Sequence, residues 1–584
     1  MPAERTARAL SRRQFIERTG RGVAVGAIGL PLLLEACAPA PSVPAAPPSG
    51  GTASPRAAAS GSLMPTFIPF PNKPKPDFPS PGDPYLDGYV NFPKNPAKAL
   101  PAEAPGTGGT VTSMTIGLFP PPTPFENNPA WQEINKQLNV DFKMNIVAPG
   151  DYPAKLATVM AGNDLPDLLF FYYNLQTAIT TVAGVPQFLE AQAADLTPYL
   201  AGDAVKDYPN LAALPTRAWK NSGSVYNGHI QMVPKPLYSE GFVLLKNLTH
   251  WNTDIGPDTH PKNADDLKRM MVTLTKPQAG RYAIASAGAS ASGDGFNVLW
   301  FSALFGAPNM WRLESSGKLV RDFETPELKE TVSFIKDLFA AGVYHPNTMQ
   351  YTSGPNARTD FAGGRWTLWL DGFATAWSDP WRRARQAPTP FEVYMVPPFA
   401  ARDGGKPQHF FNAAHLGATA IKKGSPDRVK EMLRVLNWLA APFGSAEDLL
   451  LSYGVAGPDY TLDDKGNPVL TERGNPDANY LPFKYLAQRH SVLYLPDIPD
   501  YTQTLVEAEK LLVPIGVSDP TVALVSPTAV RQGVVLRQTF FDGVRDIIVG
   551  RRPFAEYDQL VKDWQTNGGE TMRKELQDAL ASQK

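Results

Sequence analysis

From Gly109 onward the chain alternates short apolar runs with amphipathic helical stripes, and this alternation limits the fold more than any other feature. "VTSMTIGLF" (111–119), "VDFKMNIV" (140–147) and "PDLLFFYY" (166–173) read as strands, rich in β-branched and aromatic residues. Between the first two, Asn128-Pro129 has the chemistry of an N-cap followed by proline at the first helical position. Trp131, Ile134 and Leu138 then repeat at helical spacing. Between the second and third strands, Tyr152, Leu156, Val159 and Met160 share one helical face. Strands separated by helices need crossover connections, which predicts parallel βαβ units and an α/β fold.

The same grammar recurs downstream. Asn263, with Asp265 and Asp266 in the first turn, opens a helix carrying Leu267, Met270 and Leu274. Thr325-Pro326 opens one with Leu328, Val332, Ile335 and Phe339 on a face; Ser425-Pro426 opens another with Val429, Leu433, Leu436 and Leu439. Tyr557, Leu560, Val561 and Trp564 form a further stripe, ended by Gly568-Gly569. So much α/β material exceeds one hydrophobic core, and two lobes are expected. No period of about 20–50 residues repeats, which excludes a solenoid.

The region before Gly109 obeys other rules. Arg5, Arg8, Arg12, Arg13, Arg18 and Arg21 precede the apolar run "GVAVGAIGLPLLLEA" (22–36). That run is shorter than the about 20 residues of a membrane-spanning helix, and its basic flank gives it the form of an export signal over 1–37. Residues 38–108 are a Pro/Ala-rich tether, with stretches such as "APAPSVPAAPPSGG" that favour extended backbone and close no core. The aromatics in "TFIPFP" and "PYLDGYVNFP" set its second half against the folded body. Cys37 is the only cysteine in 584 residues, so no internal disulfide forms and the body relies on its core.

Enzyme signatures are scarce. The chain has no HExxH, GxSxG or GxxxxGK[S/T]. Its seven histidines lack zinc spacing; His409 and His415 flank a strand and share no metal. "TLDDKGNPVL" (461–470) lacks calcium-loop spacing and reads as a hairpin turn, and "GASASGDG" (288–295) as a flexible loop. No metal or cofactor is expected. With 55 Lys and Arg against 56 Asp and Glu, no basic field for nucleic acid exists. Trp300-Phe301, Trp311, Trp366, Trp369, Phe373, Trp377 and Trp381 cluster in sequence. Flat aromatic faces with a few amides and carboxylates suit the apolar faces and polar edges of sugar rings.

The chain carries two resemblances. "SRRQFIE" (11–17) resembles the twin-arginine export motif, and "LEAC" (34–37) resembles a bacterial lipobox, with Glu35 where a small or aliphatic residue is usual. This implies that Cys37 is the lipid-attachment residue. In the body, "MAGNDLPDLLFF", "ADLTPYL" (194–200), "NGHIQMVPKP" (227–236), "FAGGRWTLWLDG" (361–372), "SYGVAGPDYTLDDKG" (452–466) and "DIIVGRRPFAEYDQLVKDWQTNGGETM" (546–572) occur in one order. That order resembles the extracellular solute-binding proteins of ABC importers, in the family containing oligosaccharide-binding lipoproteins. Trp366, Leu368 and Ala456 depart from its pattern.

The resemblance implies a two-lobed, type II periplasmic-binding-protein-like fold with a hinge crossed more than once. Lobe one is expected at 109–232 with 412–450, and lobe two at 233–411 with 451–580. The implied protein is a monomeric, lipid-anchored, non-enzymatic receptor on the extracytoplasmic face of the membrane, which binds an oligosaccharide between its lobes and passes it to a permease. Expected ligand contacts are Phe119, Tyr172, Tyr173, Tyr226, Pro234, Trp300, Asp371, Trp377, His415 and Tyr453. The aromatics would stack, and Asp371 and His415 would bind hydroxyl groups. Alternatives are the same fold binding a peptide or polyamine, or a surface carbohydrate-active hydrolase.

Overall fold

The computed structural model describes residues 63–100, 103–162, 164–172, 184–286, 295–350, 354–498 and 500–582. The expected export signal, Cys37, Tyr173 and most of the 288–295 segment lie outside them. The chain divides at Ala59/Ser60, and the described residues all belong to the second unit, Ser60–Lys584.

Two sheets form the frame of this unit. Their strands are β1 (Thr110–Ile116), β2 (Asp141–Val147), β3 (Leu168–Tyr172), β4 (Met232–Pro236), β5 (Phe242–Asn247), β6 (Tyr282–Ile284), β7 (Trp366–Gly372), β8 (Val393–Met395) and β9 (His415–Ile421). The first sheet has five strands in the order β2-β1-β3-β9-β4, the second has four in the order β8-β5-β7-β6. The expected parallel pairing holds for β1 with β2 and β3, and for β6 with β7. It fails for β9, which is antiparallel to β3 and β4, and for β5, which is antiparallel to β7 and β8. The cause is connectivity. β9 re-enters lobe one from the hinge and runs away from it, whereas β1 and β3 run toward it.

The helices start where their caps dictate. The Asn128 side chain accepts the Trp131 N–H at 2.8 Å, Asn263 accepts that of Asp266 at 2.8 Å, and Thr325 and Ser425 accept at 3.3 Å from Leu328 and Arg428. Pro129, Pro326 and Pro426 each occupy the first turn, where no N–H is needed. The Tyr557–Trp564 helix does not end at Gly568-Gly569. It kinks at Gly568, where φ is +140°, and resumes as Glu570–Ser582.

Lobe one buries Val111, Ile116, Phe142, Phe170, Phe171, Val233 and Leu436 in one core. The second sheet is covered on both faces. Leu244 points into a core with Phe323, Phe540 and Trp564, while Val243 and Leu245 point into another with Trp366, Phe373 and Tyr501. The expected assignment of 451–580 to lobe two needs correction. Ala478, Leu481, Phe483, Tyr485 and Leu486 belong to the first core, and Thr419 Oγ1 donates to the Leu486 carbonyl at 2.6 Å. The chain therefore crosses to lobe two between Ala487 and Leu493, which joins the core of Trp366. The other crossings pair with each other: Leu237 N–H donates to Ala414 O at 3.0 Å and Asn412 N–H to Ser239 O at 2.9 Å. Gly241 is required there, since a Cβ would meet Phe410 O at 2.5 Å.

The tether is shorter than its composition implies. From Leu63 on, the described part of the Pro-rich tract is a strap on the body. Ile68 N–H donates to Ala212 O in lobe one at 2.9 Å. Leu86 is buried in a lobe-two core, its N–H held by Glu509 Oε1 at 3.1 Å. Thr107 N–H returns to Glu431 of lobe one at 2.8 Å. Side chains and carbonyls of the body thus supply the partners that proline-rich backbone cannot supply to itself. Among the described residues no helix is long and apolar enough to cross a membrane.

Candidate binding cleft

Both sheets direct one edge toward the crossings. In lobe one, β1 and β3 end there, β4 ends at Pro236 just before its crossing, and β9 begins there at His415. In lobe two, β7 ends and β5 begins there, with Gly372 paired to Phe242. Loops at such strand ends form the walls of an interlobe cleft.

Phe119, three residues past β1, keeps 44% of its surface open. Its ring stacks on Tyr480 at 5.4 Å with the planes 7° apart, and Lys484 Nζ stands 4.7 Å from its centroid. Lys484 is fixed by the Asn479 carbonyl at 2.7 Å. Tyr172 ends β3, half-buried, opposite Gly417 of β9. Burial raises its phenol, and that of neighbouring Tyr485. Lys235 of β4 faces the same group: burial, then Lys484 and Arg489, push its ammonium down to about 7. Burial likewise brings Lys484 down to about 8. Across the hinge, Phe242 is exposed at the start of β5, and Ser286 Oγ bonds Asn297 at 3.1 Å beyond β6. The edge thus offers open aromatic surface beside ammonium groups. Among the described residues no three His, Cys, Asp or Glu are placed to hold a metal ion.

No family model matches the chain. Lipoprotein LipO of Bacillus subtilis is 25% identical over 511 residues, covering 82% of this chain and 94% of that protein. The polygalacturonan/rhamnogalacturonan-binding protein YtcQ of the same organism is 22% identical over 471 residues, covering 78% and 88%. The N-glycan transport solute-binding protein NgtS of Streptococcus pneumoniae, solved with Man1GlcNAc, superposes with a TM-score of 0.55 at 15% identity, over 81% of this chain and 100% of that one. The chain is thus similar to two lipoprotein and glycan-binding relatives, and it shares the fold of the solute-binding proteins of ABC importers. The alginate-binding protein AlgQ2, solved without calcium, has the same fold, with a TM-score of 0.56 at 15% identity over 81% and 98% of the two chains.

Within this fold the residues expected to touch ligand scatter. Phe119 and Tyr172 lie together on the cleft edge. Trp300 is half-buried on the Val298–Phe305 helix, edge-on to Phe301. Tyr453 is half-buried and packs edge-on against Phe92 of the strap. Tyr173 lies outside the described residues.

Five expectations are corrected. Trp377 is 0% exposed and packs with Phe373, Trp381 and Tyr394, as a helical aromatic in a large core does. Asp371 has no capacity left for a hydroxyl: Arg358 grips both its oxygens at 2.7 and 2.8 Å, and Trp369 Nε1 and Gly372 N–H donate at 2.9 Å. His415 is buried, bonded by the Asn221 backbone and pushed by burial down to about 3, so it is a neutral core imidazole. Pro234 is buried within β4, against Ala418. Tyr226 lies on a hairpin (Val225–Tyr226 with His229–Ile230) that precedes β4, at the far end of the sheet. The five residues of β4 put roughly 17 Å between that hairpin and the cleft edge.

Sequence reasoning missed the segment 479–489, which supplies Tyr480, Lys484 and Tyr485. Its signal was available in "NYLPFKYLAQR", where tyrosines and a lysine alternate with core residues. The lobe-two assignment hid it.

Proposed function

We infer that the protein is the capture subunit of an ABC importer, binding an oligosaccharide between its lobes and delivering it to a membrane permease. The observation that carries this is the open Phe119–Tyr480 stack on the edge where the chain crosses between lobes. Aromatic surface held open beside polar groups suits the CH faces of pyranose rings. The names of relatives support the same class: one binds polygalacturonan and rhamnogalacturonan, and one was solved with Man1GlcNAc.

Capture requires no bond to break. Closure of the lobes removes the sugar from water, and the closed state forms because it binds ligand better than the open one. Lipid on Cys37 holds the protein at the extracytoplasmic face of the membrane. Residues between Cys37 and the strap then act as a spacer that keeps the receptor at high effective concentration near its permease. The experiment is a thermal-shift series on purified protein with oligosaccharides. A ligand of the native state raises the Tm with concentration, and recovery of the sugar intact separates binding from hydrolysis.

A further inference from the structure

Among the described residues, two cations on the cleft edge have no counter-charge. Lys235 is 6% exposed and, among the described residues, its Nζ has neither a hydrogen bond nor an ion pair. Among the described residues, Lys484 Nζ donates only to the neutral carbonyl and side-chain oxygen of Asn479, at 2.7 and 3.3 Å. The third cation nearby, Arg489, is already committed to Asp448 at 2.8 Å and to the His490 carbonyl. Burying an ammonium without a partner is costly, and two together cost more. The depressed basicity of both lysines expresses that cost. Such a pair is retained against its cost where an anion arrives to complete it.

The site is placed to serve a sugar. Lys484 joins the two features, since its Nζ lies 4.7 Å from the Phe119 centroid while its charge bears on Lys235. A ring seated on the aromatic surface would bring an exocyclic substituent toward the ammonium groups. We propose that Lys235 and Lys484 form an anion subsite of the cleft, which receives the carboxylate or sulfate of an acidic oligosaccharide laid against Phe119 and Tyr480. This rests on the carbohydrate reading and narrows it from sugars in general to acidic ones. Lysines act here as point charges, so carboxylate and sulfate share the required chemistry, and binding decides between them.

The test is calorimetric titration of the full-length protein with three probes of equal length: an oligogalacturonate, a sulfated oligosaccharide and neutral maltohexaose. Lys235→Met, Lys484→Met and the charge-keeping Lys484→Arg are compared with wild type. At least one acidic probe is expected to bind about tenfold or more tightly than the neutral one. Each Met variant is expected to lose about tenfold of that affinity, while Lys484→Arg keeps most of it. Neither Met variant is expected to melt below wild type, because each removes an uncompensated buried charge. Binding of the uronate assigns carboxylate, and binding of the sulfated chain assigns sulfate; either supports the subsite. Neutral probe bound as tightly as both acids, or acid affinity kept within about twofold in both Met variants, overturns it and leaves the carbohydrate reading standing. If no glycan binds, that reading falls and takes the subsite with it.

Discussion

The Phe119 ring lies 5.4 Å from that of Tyr480 and 7° from parallel, joining the loop after β1 to a segment near the last crossing of the chain. Because Phe119 is 44% exposed, its contribution to the core is small and its open surface is available to ligand. Phe119→Ala is expected to weaken oligosaccharide binding by about tenfold, while stability changes by no more than about 1 kcal/mol. Calorimetry and denaturant unfolding of the same variant separate the two.

Trp377 behaves in the opposite way. It is fully buried among Phe373, Trp381 and Tyr394. Trp377→Ala is expected to destabilise the fold by ~3–5 kcal/mol, and Trp377→Phe by less. Folded Trp377→Phe protein retains wild-type affinity for ligand. A variant that folds normally but no longer binds would return Trp377 to the cleft.

Glu509 links the strap to lobe two. It is 2% exposed and accepts the Leu86 N–H, and burial, then the nearby Glu240 charge, push its carboxyl from 4.5 up to about 9. Its folded value is raised, so its stabilising share is complete below 4.5 and is lost as pH rises toward 9. Over that window the unfolded chain ionises the group while the folded chain holds the proton, a slope of at most about 1.4 kcal/mol per pH unit. Glu509→Gln keeps the acceptor for Leu86 and removes the charge. It is expected to melt with wild type at pH 4 and several degrees above it at pH 8. An equal difference at both pH values would contradict this.

The proposed membrane attachment rests on one atom. Cys37→Ala removes the only thiol of the chain and is expected to release the protein from the membrane fraction into the soluble one. An unchanged membrane fraction would refute lipid anchoring at Cys37.

Local signals carried most of the fold. Asn128, Asn263, Thr325 and Ser425 announce their helices because capping depends on a few adjacent residues, and the structure shows each side chain accepting its hydrogen bond. Strand direction was not legible for β5 and β9, because it depends on which lobe the chain has just left. The same ignorance put Tyr480 and Lys484 in the wrong lobe. Site residues were the least legible. Asp371 and His415 have the chemistry of ligand contacts, but Arg358 and the Asn221 backbone satisfy them internally, and no spacing rule reveals such distant partners. Phe119 was named because it lies just past a strand directed at the hinge, and the structure leaves its ring 44% exposed there.

The most direct measurement is titration of the purified protein with an oligosaccharide series by calorimetry, with the sugar recovered and sized afterwards. A saturable heat with one sugar per chain, and a sugar recovered unchanged, is the predicted result. A series in which no sugar binds, or one in which the recovered sugar is shortened, would contradict the capture of an oligosaccharide between the lobes.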